Sequence, residues 1–329
     1  MTGFRPDYDP MATDPGRWGH SLGNVAEILF QCLDACAPRS VVEVGAYAGD
    51  LTRMLVEWSA TAGATVHAID PEPQPALREL ADANPQLELV RERSYDALRT
   101  MQPADAYVVD GDHNYYTVAG ELRLIAERAA GRMPLLLCHD VCWPHARRDS
   151  YYAPDTIPAD QRQPMTEGAC VYPGISDTHD GGLVYRWVAS TEGGPRNGVL
   201  TAIEDFVAAT EGLRLAIVPA FFGLGVVWSA EAPYAAALQE ILAPYDRHPV
   251  LERLEANRVL KLAAHEREKT RAAWTADRAR RTDEFLRKLL QSRTFSLAVA
   301  LSRLRQRGEP AFSKDEIRAL LPEYERRDS

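Results

Sequence analysis

Residues 41–50 read VVEVGAYAGD: a short apolar run, two glycines spaced GxxxG, and the start of a segment with helical periodicity. That is a strand, a tight turn and a helix N-terminus. Glycine suits a backbone that turns with positive φ or that a ligand approaches closely, and the first turn of a helix presents unpaired N–H groups to something polar. A plain strand-to-helix connection leaves the same pattern, so the flanking segments decide what the turn is for.

Upstream, residues 24–37 carry Val25, Ile28, Leu29, Cys32, Leu33 and Cys36 at helical spacing and stop before Pro38, which places a helix ahead of the strand at 41–44. Downstream, 50–60 is a helix with Leu51, Met54, Leu55 and Trp58 on one face. A second strand, 65–69, ends at Asp70 and is stopped by PEPQP. An acid at that strand tip, about 20 residues past the glycine turn, sits where a nucleoside ribose would place its hydroxyls; the alternative is an Asp that caps the turn before Pro71.

Alternation continues with helix 76–83, strand 87–91, helix 95–101, strand 106–109 running into DGDH, helix 117–130, and strand 134–137 running into CHDVCW. This is the signature of a doubly wound α/β fold with a largely parallel sheet, in which ligands bind at the carboxyl ends of the strands. From 143 to 197 the periodicity fails, with HARRDSYYAPDTIPADQRQP and YPGISDTHDGG dominating. A structureless stretch of that length in a compact domain is more often a functional lid than a linker. The pattern resumes with helix 200–209 and strands 213–218 and 223–229, separated only by PAFF, which reads as an antiparallel hairpin closing a seven-stranded sheet.

After Tyr234 the chain turns helical, over 235–242 and then from 251 to about 306, with Gly308 and Pro310 as the stop. Its heptads are imperfect, so the expectation is a helical appendage packed on the sheet domain or on a second copy, making a homo-oligomer. The chain then divides into an N-terminal strap at 1–19, an α/β domain at 20–245 with the lid inserted at 143–197, and the appendage at 246–329.

With 329 residues, 46% of them hydrophobic, the chain can bury a full core without staples. Its five cysteines, Cys32, Cys36, Cys138, Cys142 and Cys170, form no pair of CxxC motifs and suit reduced thiols. There is no apolar leader and no run of 18 apolar residues, so a soluble cytoplasmic protein with no membrane partner is expected. A net charge of -10 argues against a general nucleic-acid binder. The Arg- and Lys-rich stretch 253–307 is interleaved with acids and reads as a solvated helix face.

Together, EVGAYAGD (43–50), the terminal acid of HAID (Asp70), VVDGDHNYY (108–116) and LLLCHDV (135–141) resemble the class I S-adenosylmethionine-dependent methyltransferases. Within that class they are most similar to the branch of macrocin-type sugar O-methyltransferases and cephalosporin-hydroxylase-like proteins. The likeness covers about residues 20–230 and departs from the common glycine pattern at Tyr47, where a middle glycine is usual. It implies a Rossmann-like sheet whose closing hairpin distinguishes it from nicotinamide-binding sheets. It also implies S-adenosylmethionine as cofactor, with Glu43, Gly45, Tyr47 and Gly49 at its methionine end, Asp70 at its ribose, Ser94 in the adenine neighbourhood and Asp110 beside it. Ser94 reads equally as the N-cap of the helix from Tyr95.

Asp110, Asp112, His113, His139 and Asp140 converge from the ends of two neighbouring strands. Three carboxylates and two imidazoles are costly to crowd together unless a cation neutralises them or protons are moving. The resemblance implies a divalent metal on Asp110, His139 and Asp140, with Asp112 as general base. His139 stands where those relatives have a second acid, which favours manganese, iron or zinc over magnesium. Alternatively no metal binds and His139 or His113 is the base, or His113 simply caps the next helix. In the lid, His145, Arg147, Arg148, Tyr151 and Tyr152 would meet the acceptor. The paired arginines suit an acidic or hydroxylated molecule, or else stiffen the lid against Asp149 and Asp155. The activity expected is metal-assisted O-methylation of a small hydroxylated metabolite, a glycoside or other natural product. N- or C-methylation without metal, a nicotinamide-dependent oxidoreductase, and an assembly role for the long helix are the alternatives.

Overall fold

Short β-branched runs, each bounded by glycine, proline or a polar cluster, form the strands of a sheet buried on both faces, where near-continuous apolar sequence is tolerated. The computed structural model describes residues 22–306 and 314–319. The strap expected at 1–19 and the stop at Gly308 and Pro310 lie outside the described residues. After a 3-10 turn at Leu22–Val25 come α1 (Ala26–Cys36), β1 (Ser40–Val44), α2 (Asp50–Ala62), β2 (Thr65–Ile69), α3 (Pro75–Ala83) and β3 (Leu87–Val90). Then follow α4 (Ser94–Thr100), β4 (Ala106–Val109), α5 (Tyr115–Arg128) and β5 (Leu135–Cys138). The sheet order is β3-β2-β1-β4-β5-β9-β8, with α6 (Val199–Ala209), β8 (Leu213–Val218) and β9 (Leu224–Ser229) completing it. The first five strands are parallel; β9 runs antiparallel to both β5 and β8, so the closing hairpin is present.

Period-2 alternation sorts the strands' side chains onto two cores. Val41, Val66, Ala68, Val108 and Leu137 face one side with Leu29, Phe30 and Leu33 of α1, Leu55 and Trp58 of α2, and Leu238 and Leu242 of α7 (Ala235–Leu242). Val42, Val44, Ile69, Val109 and Leu136 face the other with Leu98 of α4, Leu122 and Ile125 of α5, and Ile203 and Phe206 of α6. The open edge at β8 is covered by the segment after α7: Ile217 N donates to Asp246 Oδ1 (2.7 Å) and Arg247 N to Ile217 O (2.8 Å).

The stretch 143–197 is not structureless. It contains β6 (Met165–Val171) paired antiparallel with β7 (Leu183–Ala189), in the register Met165↔Ala189 to Val171↔Leu183. Isolated polar residues and Gly168 in MTEGACV hid this strand, because a two-stranded ribbon with one wet face needs only alternate burial. Residues up to Ala264 cluster with the sheet and those from His265 form a second unit, so the boundary falls within α8 (Pro249–Gln291). Val259 and Ala263 are buried with Val171, Leu183, Val188 and Phe222. In the second unit, with α9 (Arg293–Gln306) and α10 (Lys314–Ala319), Trp274, Phe285, Leu297 and Leu301 are largely exposed. Among the described residues no helix is long and apolar enough to cross a membrane, and all five cysteines are free thiols.

Gly45 has φ +87°, and a Cβ there would collide with the carbonyl of Asp110 at the end of β4. Gly45→Ala should therefore destabilise the chain by roughly 2 kcal/mol or more, since an L residue in the left-handed region alone costs about 1–2 kcal/mol. Urea unfolding followed by circular dichroism measures this, and an unchanged midpoint would show that the Asp110 peptide can retreat.

Candidate active site

The strand ends stand in line because their registers match. Val44 pairs with Ile69 and Val109, and Val109 with Cys138. The next residues extend the ladder: Gly45 N to Ile69 O (2.9 Å), Asp70 N to Val90 O (3.1 Å), Asp110 N to Val44 O (2.9 Å) and His139 N to Val109 O (3.0 Å). Gly45, Asp70, Asp110 and His139 thus step across the carboxyl edge, about 4.8 Å per strand. The strand order reverses between β1 and β4, the switch point where such sheets open a crevice.

On the glycine-turn side, Tyr47 takes φ 42° and is 66% exposed, with its N–H donated to Asp70 Oδ2 at 2.7 Å. Asp70 Oδ1 accepts from Glu72 N at 2.8 Å. The carboxylate therefore braces the turn as well as ending β2, and an ionised carboxylate keeps lone pairs for further donors. Glu43 is buried and accepts from Thr52 Oγ1 at 2.6 Å; burial pushes its pKa up to about 8, the Thr52 bond opposing. Gly49 is the N-cap of α2, and among the described residues no side-chain cap is seen on that helix. Ser94 is the first residue of α4 rather than its N-cap, a position held by Arg93. Its hydroxyl is turned toward Glu121, a fully buried acid whose oxygens meet no donor at bonding geometry among the described residues. Burial raises the Glu121 pKa to about 8, with Ser94 close enough to oppose the shift.

Across the switch point four of the five side chains read as converging, Asp110, His113, His139 and Asp140, do come together. His139 Nδ1 lies 3.0 Å from Asp110 Oδ1 and 3.6 Å from Asp140 Oδ2, and the donor atoms of Asp110, His139 and Asp140 lie within 4.8 Å of one another. His113 Nε2 is 2.7 Å from Asp140 Oδ2 and 3.9 Å from Asp110 Oδ1. Asp140 is held in the left-handed region at φ 59°. Burial would lower the pKa of both imidazoles, but the carboxylates outweigh it: His139 rises to about 9 under Asp110 and Asp140, and His113 rises well above its ordinary value under Asp140. Burial opposes ionisation of Asp140 too, yet the facing imidazoles hold it well below the usual carboxylate range. His145 stacks on His113 (centroids 4.4 Å, 18°) and meets Tyr185 edge-on; burial and the charge of His113 drive its pKa down to about 3. The donors that converge do not include Asp112. Its Oδ1 accepts from His113 N (2.9 Å) and its Oδ2 from Thr117 Oγ1 (3.2 Å), at the start of α5, while Asn114 caps that helix.

The lid residues expected to meet the acceptor part company. Tyr152 is 68% exposed with its ring 5.5 Å from that of His113. Arg148 is 1% exposed; its guanidinium donates to the carbonyls of Ala189 (2.7 Å) and Ser176 and pairs with Glu192 (3.7 Å), so it holds the ribbon rather than a substrate. Arg147 pairs with Glu204 (2.6 Å) and Thr201. Tyr151 is buried, with its hydroxyl donated to Asp149 Oδ2 (2.9 Å). Asp149 is the anchor. Its Oδ1 accepts from Tyr115 N (2.8 Å) at the start of α5 and from Gly198 N (2.7 Å) at the start of α6, favourable ends for an anion. Tyr185 and the carbonyl of Phe221, which accepts from His139 Nε2 at 2.9 Å, went unrecognised in the sequence. A backbone carbonyl has no sequence signature, and Tyr185 lay in the unrecognised strand.

Residues 42–141, from β1 to just past β5, match a family model described as a methyltransferase domain. No curated protein matches the sequence. Similar solved structures include a methyltransferase of Podospora anserina with SAH bound (17% identity, 62% of this chain and 77% of that one, TM-score 0.38). Others are the 1,6-didemethyltoxoflavin-N1-methyltransferase of Burkholderia thailandensis (14%, 60% and 76%, 0.33) and the O-methyltransferase TomG of Streptomyces achromogenes (13%, 64% and 82%, 0.38). TM-scores this low bear on no residue's role.

Asp149→Asn should loosen the lid, because an amide cannot accept the same three bonds; a loss of about 1–3 kcal/mol is expected. Trypsin should then cleave after Arg147 or Arg162 several-fold faster than in the parent, and equal rates would remove Asp149 as the anchor. The acid also leaves a pH signature. Burial raises its pKa from 3.8 to about 6, so the folded chain holds this proton more tightly than the unfolded one. The stability it contributes is full below about pH 4 and is lost as pH rises through 6. The Asn variant should lack that slope in unfolding curves.

Proposed function

We propose that the chain is an S-adenosylmethionine-dependent methyltransferase acting on a hydroxyl of a small acceptor, a glycoside or other natural product, with a divalent cation on Asp110, His139 and Asp140. The observation that carries this reading is the in-register sheet edge, where the turn at 45–49 with Asp70 stands beside the His/Asp cluster. The methyltransferase-domain match over the same strands supports it.

The cofactor supplies a methyl group already activated on a sulfonium, so the chain has to align the nucleophile and take up its proton. Glu43 and the uncapped first turn of α2 suit the ammonium and carboxylate of a methionine end, and the remaining acceptor capacity of Asp70 suits ribose hydroxyls. An imidazole among the donors favours a transition metal over magnesium. His139 is oriented for it: Nε2 donates to Phe221 O, which leaves Nδ1 facing both carboxylates. A cation there would lower the pKa of an acceptor hydroxyl. His113 is the base in this scheme. With Asp110 and Asp140 committed to a cation, the charges that hold its proton are neutralised, and the ring returns toward the neutral form a base requires. The exposed ring of Tyr152 offers the acceptor a platform beside it. Arg147 and Arg148, both engaged within the protein, argue for a neutral hydroxylated acceptor over an anionic one.

One observation favours a metal-free second reading. Two imidazolium groups already balance Asp110 and Asp140, which fits N- or C-methylation with no ion. Chelator dialysis separates them: turnover lost and restored by manganese favours the first, and turnover unaffected favours the second.

Calorimetry should detect S-adenosylhomocysteine binding, and its absence would overturn the reading. Asp110→Ala should cut turnover at least 100-fold while changing that affinity less than about threefold, if the residue holds a metal; retained turnover rules the metal out. Glu43 must ionise to hold an ammonium, so binding should release a proton below pH 8. Affinity should rise by up to about tenfold per pH unit toward pH 8 and then flatten. Glu43→Gln should abolish the trend.

A further inference from the structure

The turn between β8 and β9 is built in an unusual way. Phe221 (φ 52°), Phe222 (φ 68°) and Gly223 (φ 93°) all lie in the left-handed region, two of them bulky L residues. Such residues persist there only when their surroundings over-determine them. The surroundings are supplied by α8. Glu255 Oε2 accepts from Phe221 N (3.0 Å) and Oε1 from Phe222 N (2.8 Å), so one carboxylate gathers two successive N–H groups. Arg258 forks onto the same carboxylate through Nε and Nη2, both at 2.7 Å, and its guanidinium lies 4.4 Å from the centre of the Phe222 ring. Glu255 is 7% exposed, so this is a satisfied internal ion pair, unlike the wet pairs further along the helix.

The turn's carbonyls are its output. Phe221 O accepts from His139 Nε2 (2.9 Å) and Phe222 O from Cys142 N (2.6 Å), so the turn grips both ends of the segment that carries His139 and Asp140. A carbonyl only accepts, so Nε2 must carry hydrogen and Nδ1 is the nitrogen turned to Asp110 and Asp140. The hydrogen bond on one imidazole nitrogen decides what the other can do.

We propose that Glu255, backed by Arg258, is a positioning residue for His139: by holding the β8–β9 turn it presents the Phe221 carbonyl that fixes the imidazole's orientation and its Nε2 proton. The proposal rests on the reading of His139 as a site residue given above. A mere fastening of α8 to the sheet would leave the imidazole indifferent to Glu255.

The test follows the His139 Nε2–H proton in full-length protein labelled with ¹⁵N-histidine, the signal assigned by its loss in His139→Gln. In the parent it should be present and slow to exchange. Glu255→Gln, which presents an amide where two N–H groups and a guanidinium need an anion, should speed its exchange at least tenfold or erase it. Adding Phe221→Gly, which removes one left-handed L residue, should restore it in part. Should Glu255→Gln fail to fold by circular dichroism, Arg258→Lys, which keeps the charge but loses the fork, is read in the same way. An unprotonated Nε2 in the parent, unchanged exchange in the folded variant, or no recovery in the double variant would overturn the proposal. Calorimetry with S-adenosylhomocysteine on the parent distinguishes failure of the methyltransferase reading, since the proton signal needs no cofactor.

Discussion

The pairing of Val44 with both Ile69 and Val109, and of Val109 with Cys138, governs the site, because a parallel ladder in register delivers the residues that follow each strand to one line. A slip of one residue in any of these strands would turn its side chains to the opposite face and carry Gly45, Asp70, Asp110 or His139 out of line. The alternating apolar side chains on the two faces prevent such a slip. Fold and site therefore share one cause.

Charge imposes the second constraint. Asp110 and Asp140 approach the same imidazole nitrogen from the tips of adjacent strands, and a buried carboxylate without a cation is expensive. The protein answers with His139 and His113, whose protons are held by the carboxylates they neutralise. Imidazole can release this charge near neutral pH in exchange for another cation or a substrate, which a lysine or arginine in the same place could not do.

The architecture from β1 to β5, the closing hairpin and the His/Asp cluster were legible because each rests on local signals: short β-branched runs, terminal glycines and acids at strand tips. What was hidden depends on tertiary partners. Arg148 and Tyr151 look like substrate contacts in a polar stretch, and only the β6–β7 ribbon reveals them as its supports. Asp112 sits in the same DGDH run as Asp110, yet two more residues of chain turn it to the start of α5. Glu255 and Arg258, three apart on a charged helix, are indistinguishable in sequence from the exposed pair Asp277 and Arg280. Burial alone separates them.

The anchorage of the segment after His145 changes what kind of entrance the site has. Swinging it away would expose Arg148 and break the two hydrogen bonds that Asp149 accepts from the starts of α5 and α6, and with about 1.5–3 kcal/mol for each bond to a charged group the cost is on the order of 3–6 kcal/mol. At that cost the open form is populated in fewer than about one molecule in a hundred. The stretch behaves as a fixed wall beside the exposed ring of Tyr152. A molecule approaching the His/Asp cluster from that side meets a surface set before it arrives, rather than one that closes around it.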